Sequence, residues 1–350
     1  MNILHRFRNI RLNTGKLFAP AATTALVLAI AVFCSVPHSA KAYIVDPNRQ
    51  EISGDPGAII KGQFNVVNNT NLAQTFYISI LNFEAENETG NPKFVNTQEG
   101  LSTWTTFPAS VNAVAHATVS VSFKVAVPKD AEPGGYSAAI FAATQPPSAN
   151  GGDVNVGSRV GMLLLFDVNG NVAEGVSVLE FGTQGLHRLY SGLPIDFYYR
   201  FQNSGNDRIK PLGDVIIKNM FGQTTKILNA NRVDGNVLPK SIRRFETPWI
   251  RDGGLVNESP MDLPTNPPHL SFFGAARSEL TNFAFGFYTA HLNIAYGNVT
   301  QKSATGTFTF LVFPWQLIII ALVILIILWF IFRNGLRRYN KHIIRQAGRK

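Results

Sequence analysis

Nine short stretches between Tyr43 and Val312 constrain this chain most tightly: AIIKGQFNVV, QTFYISILNF, ATVSVSFKVAV, YSAAIFAAT, GMLLLFDV, PIDFYYRF, GDVIIKNMF, TAHLNIAY and TGTFTFLVF. All are rich in Val, Ile, Phe, Tyr and Thr and are bounded by turn residues, the composition of β-strands. In one of them Thr118, Ser120, Ser122 and Lys124 alternate with Val119, Val121, Phe123 and Val125. Such a strand has one wet side and one buried side. With no strong helical period between these stretches, the region is expected to be all-β and built from antiparallel sandwiches.

Two signals suggest that the sandwich is duplicated. Gly134-Gly135-Tyr136-Ser137-Ala138-Ala139-Ile140 matches Gly286-Phe287-Tyr288-Thr289-Ala290-His291-Leu292 as G-x-Y-[ST]-A-x-[IL], and NNTN at 68–71 precedes the first copy as NSGN at 203–206 precedes the second. The two offsets differ, which requires an insertion in the second copy. The excess is assigned to 251–282, a Pro- and Gly-rich stretch just before Gly286. A glycine corner followed by tyrosine resembles the tyrosine corner of immunoglobulin-like sandwiches, where the phenol bonds upstream backbone. Gly134, Gly135, Tyr136, Gly286 and Tyr288 are therefore read as structural corners, with glycine supplying backbone angles that other residues resist. A phosphate-cradling loop would need a following helix and a Lys-Ser/Thr pair, and neither follows.

The chain ends carry most of the charge asymmetry. Of 350 residues, 31 are basic and 22 acidic; residues 1–42 and 333–350 hold 12 of the basic ones and no acidic one, which leaves the middle at 19 against 22. The basic balance thus reports topology and does not support nucleic-acid binding. Residues 1–42 have a basic stretch, the apolar run ALVLAIAVFCSV and small residues at Ala40 and Ala42. This is the order of a secretory signal peptide, with cleavage expected after Ala42. The only cysteine, Cys34, lies inside it. At 313–332 stands FPWQLIIIALVILIILWFIF, expected to form a transmembrane helix, with Trp315 and Trp329 near its two ends and Arg333, Arg337 and Arg338 opening a basic cytoplasmic tail, 333–350. The expected localisation is single-pass in the cell membrane, with the middle extracytoplasmic. The expected architecture is two tandem immunoglobulin-like β-sandwiches, 43–172 and 173–312, followed by a single transmembrane α-helix.

Signatures of catalysis are missing. There is no G-x-S-x-G elbow, no cysteine outside the signal segment, and no paired histidine spacing of the H-E-x-x-H kind. DVNGNVAEG from Asp167 departs from a calcium loop, with Val172 in the glycine position, and a hairpin turn on Asn169-Gly170 accounts for it. No enzyme, cofactor or metal is expected. The candidate partner-binding residues are Glu84, Glu86 and Glu88, which alternate along one solvated strand edge, and Leu270, Phe272 and Phe273, an apolar cluster in the insertion.

The order of parts resembles the WxL-interacting surface proteins of Gram-positive bacteria. The matching phrases are FNVVNNTN, ISILNFEAENETGNPKF, LSTW, VPKDAEPGGYSAAIF, RVGMLLLFDVNG, NSGNDRIKPLGDVIIKN, VLPKSIRRFETPW and FGFYTAHLNIAYG. That resemblance implies a non-enzymatic cell-surface scaffold, whose first domain is associated with peptidoglycan and whose second binds protein partners. The partners expected are cell-wall glycan or a surface or secreted protein, with the membrane engaged through the C-terminal helix. The alternative is a membrane-tethered assembly factor or chaperone that shields β-strands of secreted or pilus-like subunits by strand addition.

Overall fold

The computed structural model describes residues 43–146, 159–250, 270–297 and 302–347. The expected signal peptide and residues 251–269 of the expected insertion lie outside the described residues.

The first sandwich contains β1 (Tyr43–Asp46), β2 (Arg49–Gly54), β3 (Ile59–Asn68), β4 (Gln74–Glu86), β5 (Asn91–Val95), β6 (Thr105–Thr106), β7 (Ser110–Ala113), β8 (Thr118–Ala126), β9 (Gly134–Ala143) and β10 (Arg159–Val168). One sheet has the order β1-β3-β8-β6 and the other β2-β10-β9-β4-β5, with β7 also on β4. The chain changes sheets around Pro47: β1 runs antiparallel to β3, whereas β2 runs parallel to β10. Alternation in the sequence sets which side is buried. Val121, Phe123 and Val125 face Phe64, Phe76, Ile140 and Phe166 in the core, while Thr118, Ser120, Ser122 and Lys124 are exposed. Each buried aromatic or branched side chain contributes roughly 1.5–3 kcal/mol over leaving it in water.

The second sandwich repeats this plan with β11 (Val176–Thr183), β12 (Leu189–Tyr190), β13 (Ile195–Asn203), β14 (Leu212–Asn219), β15 (Thr224–Asn229), β16 (Ser241–Trp249), β17 (Gly286–Tyr296) and β18 (Lys302–Val312). Its sheets are β11-β13-β16 and β12-β18-β17-β14-β15, and β12 runs parallel to β18 as β2 does to β10. Phe197, Tyr199, Phe201, Phe245, Trp249 and Phe310 dominate its core. The molecule is thus two β-sandwiches of immunoglobulin-like topology.

The two glycine corners occupy equivalent places. Gly134 pairs with Val168 and Tyr136 with Phe166; Gly286 pairs with Val312 and Tyr288 with Phe310. The Tyr136 hydroxyl donates to the Glu132 carbonyl at 3.1 Å, and that of Tyr288 to the Phe285 carbonyl at 3.4 Å. Gly134 and Gly286 have φ of 140° and 106°, a region where a side chain is strained. The connection from β8 to β9 spans 127–133, and its counterpart from β16 to β17 spans 250–285. The longer one holds a helix, Phe272–Thr281, begun where the Ser271 hydroxyl accepts from the Gly274 amide at 3.3 Å.

That helix packs against the start of the C-terminal helix, Trp315–Ala347. Phe272 meets Trp315 edge to face at 5.9 Å, and buried Glu279 accepts from the Leu317 amide at 2.9 Å. A carboxylate there satisfies one of the unpaired amides of a helix start. Residues 315–340 include an 18-residue window with a mean hydropathy of 2.9, and the segment is long and apolar enough by length and composition to cross a membrane.

Candidate functional site

β10 reads RVGMLLLFDV and is apolar on both faces. Met162, Leu164 and Phe166 point into the first core, whereas Leu165 joins Phe83, Ala139 and Phe141 in a smaller cluster on the outer face. Leu238 of the second sandwich packs on that cluster. A strand apolar on both faces belongs in a sheet interior, paired on both edges. Here the pairing is incomplete. β9 accompanies β10 from Arg159 to Val168, but β2 accompanies it only from Leu163 to Val168. Among the described residues, Arg159–Met162 therefore has one edge with no strand hydrogen-bonded to it, while β1, paired with β3 in the other sheet, lies near β10. The Arg159 guanidinium lies over the rings of Phe141 and Phe94, at 4.4 and 5.7 Å from their centroids, a cation–π arrangement that keeps this end of the strand ordered.

Two other edge strands carry residues that discourage pairing. β5 contains Pro92 and Lys93, and β15 has Lys226 with two threonines. Proline, lysine and small polar groups are the usual means of blunting an edge. Only Arg159 interrupts the apolar character of the β10 edge, and it is folded over aromatic rings.

The β4–β5 hairpin and the loop after β13 hold the sandwiches together. At the hairpin tip Glu88 takes a bidentate ion pair from Arg200, with Nε to Oε2 at 2.8 Å, and its carbonyl accepts from the Arg244 amide at 2.9 Å. The hydrogen bond from Arg200 holds the Glu88 carboxyl below the usual range. Gly135 donates its amide to the Asn206 carbonyl at 2.9 Å, and the Asn206 amide group donates to the Pro133 carbonyl at 2.8 Å. A side chain at Gly134 would place its Cβ 2.3 Å from the Asn206 oxygen, so the corner glycine also permits the close approach of the second sandwich. Arg208 pairs with Asp167 and, at 3.3 Å, with Glu51, while Arg49 reaches Asp234 at 2.9 Å. Burial pushes the Asp167 carboxyl up to about 7; Arg208 acts against this, and the neighbouring Asp207 and Glu51 add to it.

The residues expected from sequence to bind a partner are dispersed. Glu84 and Glu86 are exposed on β4, facing Lys93 and Asn91 of β5 in register, whereas Glu88 lies past Asn87 in the hairpin turn, committed to Arg200. Leu270 and Phe273 are exposed, at 54% and 75%, and Phe272 leans on Trp315. The acids belong to the first sandwich and the apolar cluster to the second, so they do not form one site. Trp315 and Trp329 are exposed along the C-terminal helix, with Arg333 over the Trp329 ring at 5.1 Å and Arg337 and Arg338 one turn further on. Sequence reading missed the Arg159–Met162 edge and the Arg208–Asp167 junction. The unbroken run MLLLF was the available signal for the first, since it marks a strand covered on both faces.

Among the described residues no group of three or more His, Cys, Asp or Glu side chains is placed to hold a metal ion. No protein-family model matches the chain, and no curated protein does. Solved structures do match. The class 5 fimbriae chaperone CfaA is 11% identical with a TM-score of 0.37, covering 76% of this chain and 99% of its own. The Pseudomonas aeruginosa chaperone CupB2 is 10% identical with a TM-score of 0.34, covering 76% of this chain and all of its own. The chaperone–tip subunit complex CsuC–CsuE of Acinetobacter baumannii matches at 12% and 0.31, over 58% of this chain. These findings correct the resemblance to WxL-interacting proteins: the chains that match are fimbrial chaperones. The cell-surface and cell-wall-binding expectations fall with it. Those matches give no support to the expected single-pass localisation in the cell membrane either. The fold is two β-sandwiches of immunoglobulin-like topology.

Proposed function

We propose that this chain is a non-enzymatic assembly factor that holds a β-strand of a protein partner, a secreted or pilus-like subunit, against the open edge Arg159–Met162 of β10. The observation that carries this reading is the mismatch between the two neighbours of β10, a full-length β9 and a β2 whose first residue, Arg49, lies opposite Leu163. An added strand would continue the sheet past the end of β2. Backbone bonds would supply affinity, and alternate side chains would settle on the apolar faces beside Phe94 and Phe141. Each such bond contributes about 0.5–1.5 kcal/mol net, so a few of them with apolar burial make a complex that can later be exchanged. The division of the middle into 43–172 and 173–312 is part of this reading, with β10 closing the first unit.

Photo-cross-linking tests it. A benzophenone side chain at Arg159 is expected to form an adduct with a strand-bearing secreted protein in the cell of origin, and the same group at Thr225 on β15 is not. Equal adducts from both positions, or none from Arg159, would overturn the assignment.

A further inference from the structure

On the outer face of the other sheet of the first sandwich, Lys61 of β3 and Lys124 of β8 stand directly opposite each other in the antiparallel register. Both are exposed, and neither makes an ion pair among the described residues. Directly opposed like charges destabilise a strand pair. Lys124 is paired with Lys61 on one side and Thr106 on the other, so it guards no edge, and its place opposite a second lysine brings no structural gain. The pair lines a concavity of about 570 Å³ that also presents Gln63, Ser122, Thr106 and Phe107. Beyond it the same face continues as Gln63 opposite Ser122 and Asn65 opposite Ser120. No acid stands among these outward positions of β3 and β8, which offer two ammonium groups followed by hydroxyl and amide donors.

We propose that this face binds an extended acidic segment of the protein partner, with its carboxylates on Lys61 and Lys124 and its polar groups along Gln63, Ser122 and Ser120. The inference rests on the protein-binding reading above but uses a different sheet. Charge complementarity selects the occupant: donors repeat along one face of a strand at roughly 7 Å, the spacing at which alternate residues of an extended peptide present their side chains. Phe107 at the rim gives an aliphatic or aromatic neighbour of the acids a place to pack.

The test uses the full chain and a fluorescent peptide of alternating glutamate and threonine, read by anisotropy at low salt and at roughly 0.3 M salt, where exposed charges are screened. The acidic peptide is expected to bind at low salt and a lysine–threonine peptide is not. Lys61→Gln and Lys124→Gln are each expected to weaken binding about tenfold, and the double variant to remove it. Thermal melts of the variants should match or exceed that of the parent, because a repulsion has been removed. Absence of binding to the parent, equal binding of the basic peptide, unchanged affinity in the double variant, or displacement by inorganic phosphate as effectively as by unlabelled peptide would overturn the proposal. Failure at Arg159 in the cross-linking experiment with acidic-peptide binding intact would sink the strand-edge reading alone; the reverse pattern would sink this one alone.

Discussion

Asn68 and Asn203 hold the same position in the two sandwiches. Each ends a strand, is completely buried, and donates its amide group to three carbonyls that close the adjoining loops: Leu72, Ala113 and Val114 for Asn68, and Asp207, Val237 and Leu238 for Asn203. The Asn68 side-chain oxygen accepts from the Thr70 amide and that of Asn203 from the Gly205 amide. Replacing either by alanine strands several buried carbonyls and one amide. Asn68→Ala and Asn203→Ala should each lower stability by about 2–4 kcal/mol, measured as a shift in the urea midpoint without a change in slope.

Gly134 meets the second sandwich at backbone distance. Gly134→Ala adds a Cβ where the Asn206 carbonyl already sits, at a φ of 140°. A cost of about 1–3 kcal/mol is expected, together with faster proteolysis between β10 and β11 as the junction loosens. Ser137→Ala, three residues on in the same strand, is the control and should leave cleavage unchanged.

The junction also has a pH signature with two opposing limbs. Asp167, pushed up to about 7, keeps a proton in the folded chain that the unfolded chain has lost above about 4. Its stabilising contribution is full below that lower value and is lost as pH rises through about 7. Glu88 has the opposite sense: its carboxyl is lowered by Arg200, so its contribution is present above the ordinary glutamate range and is lost as pH falls through the lowered value. Asp167→Asn should flatten the decline in urea midpoint on the neutral limb, and Glu88→Gln should flatten the acid limb.

Arg208 holds Asp167 and Glu51 together across the junction. Arg208→Ala removes the positive charge from a cluster that also contains Asp207, so a loss of about 2 kcal/mol is expected near neutral pH. The loss should shrink in the Asp167→Asn background, which a double-mutant cycle would read directly.

Much of this architecture was legible because strand periodicity is local. The alternation through Thr118–Val125, the paired NNTN and NSGN loops and the two glycine–tyrosine corners each belong to one segment, and each found its equivalent place in the two sheets. What was not legible depends on contacts across the chain. Glu84, Glu86 and Glu88 share a parity, but Asn87 adopts a left-handed φ of 51° and swings Glu88 over to Arg200, which no spacing rule anticipates. The open edge of β10 was hidden for a related reason, since it exists only because β2, more than a hundred residues earlier, stops pairing at Leu163. The opposed lysines likewise needed the β3–β8 register, because Lys61 and Lys124 are unrelated in sequence.

The most direct measurement is amide hydrogen exchange of the full chain, alone and bound to the strand-bearing partner recovered by cross-linking. Alternate amides between Arg159 and Met162 should exchange at least about tenfold more slowly in the complex, while those of Thr224–Asn229 keep their rates. Protection confined to other edges, or no protection along β10, would contradict the strand-holding account.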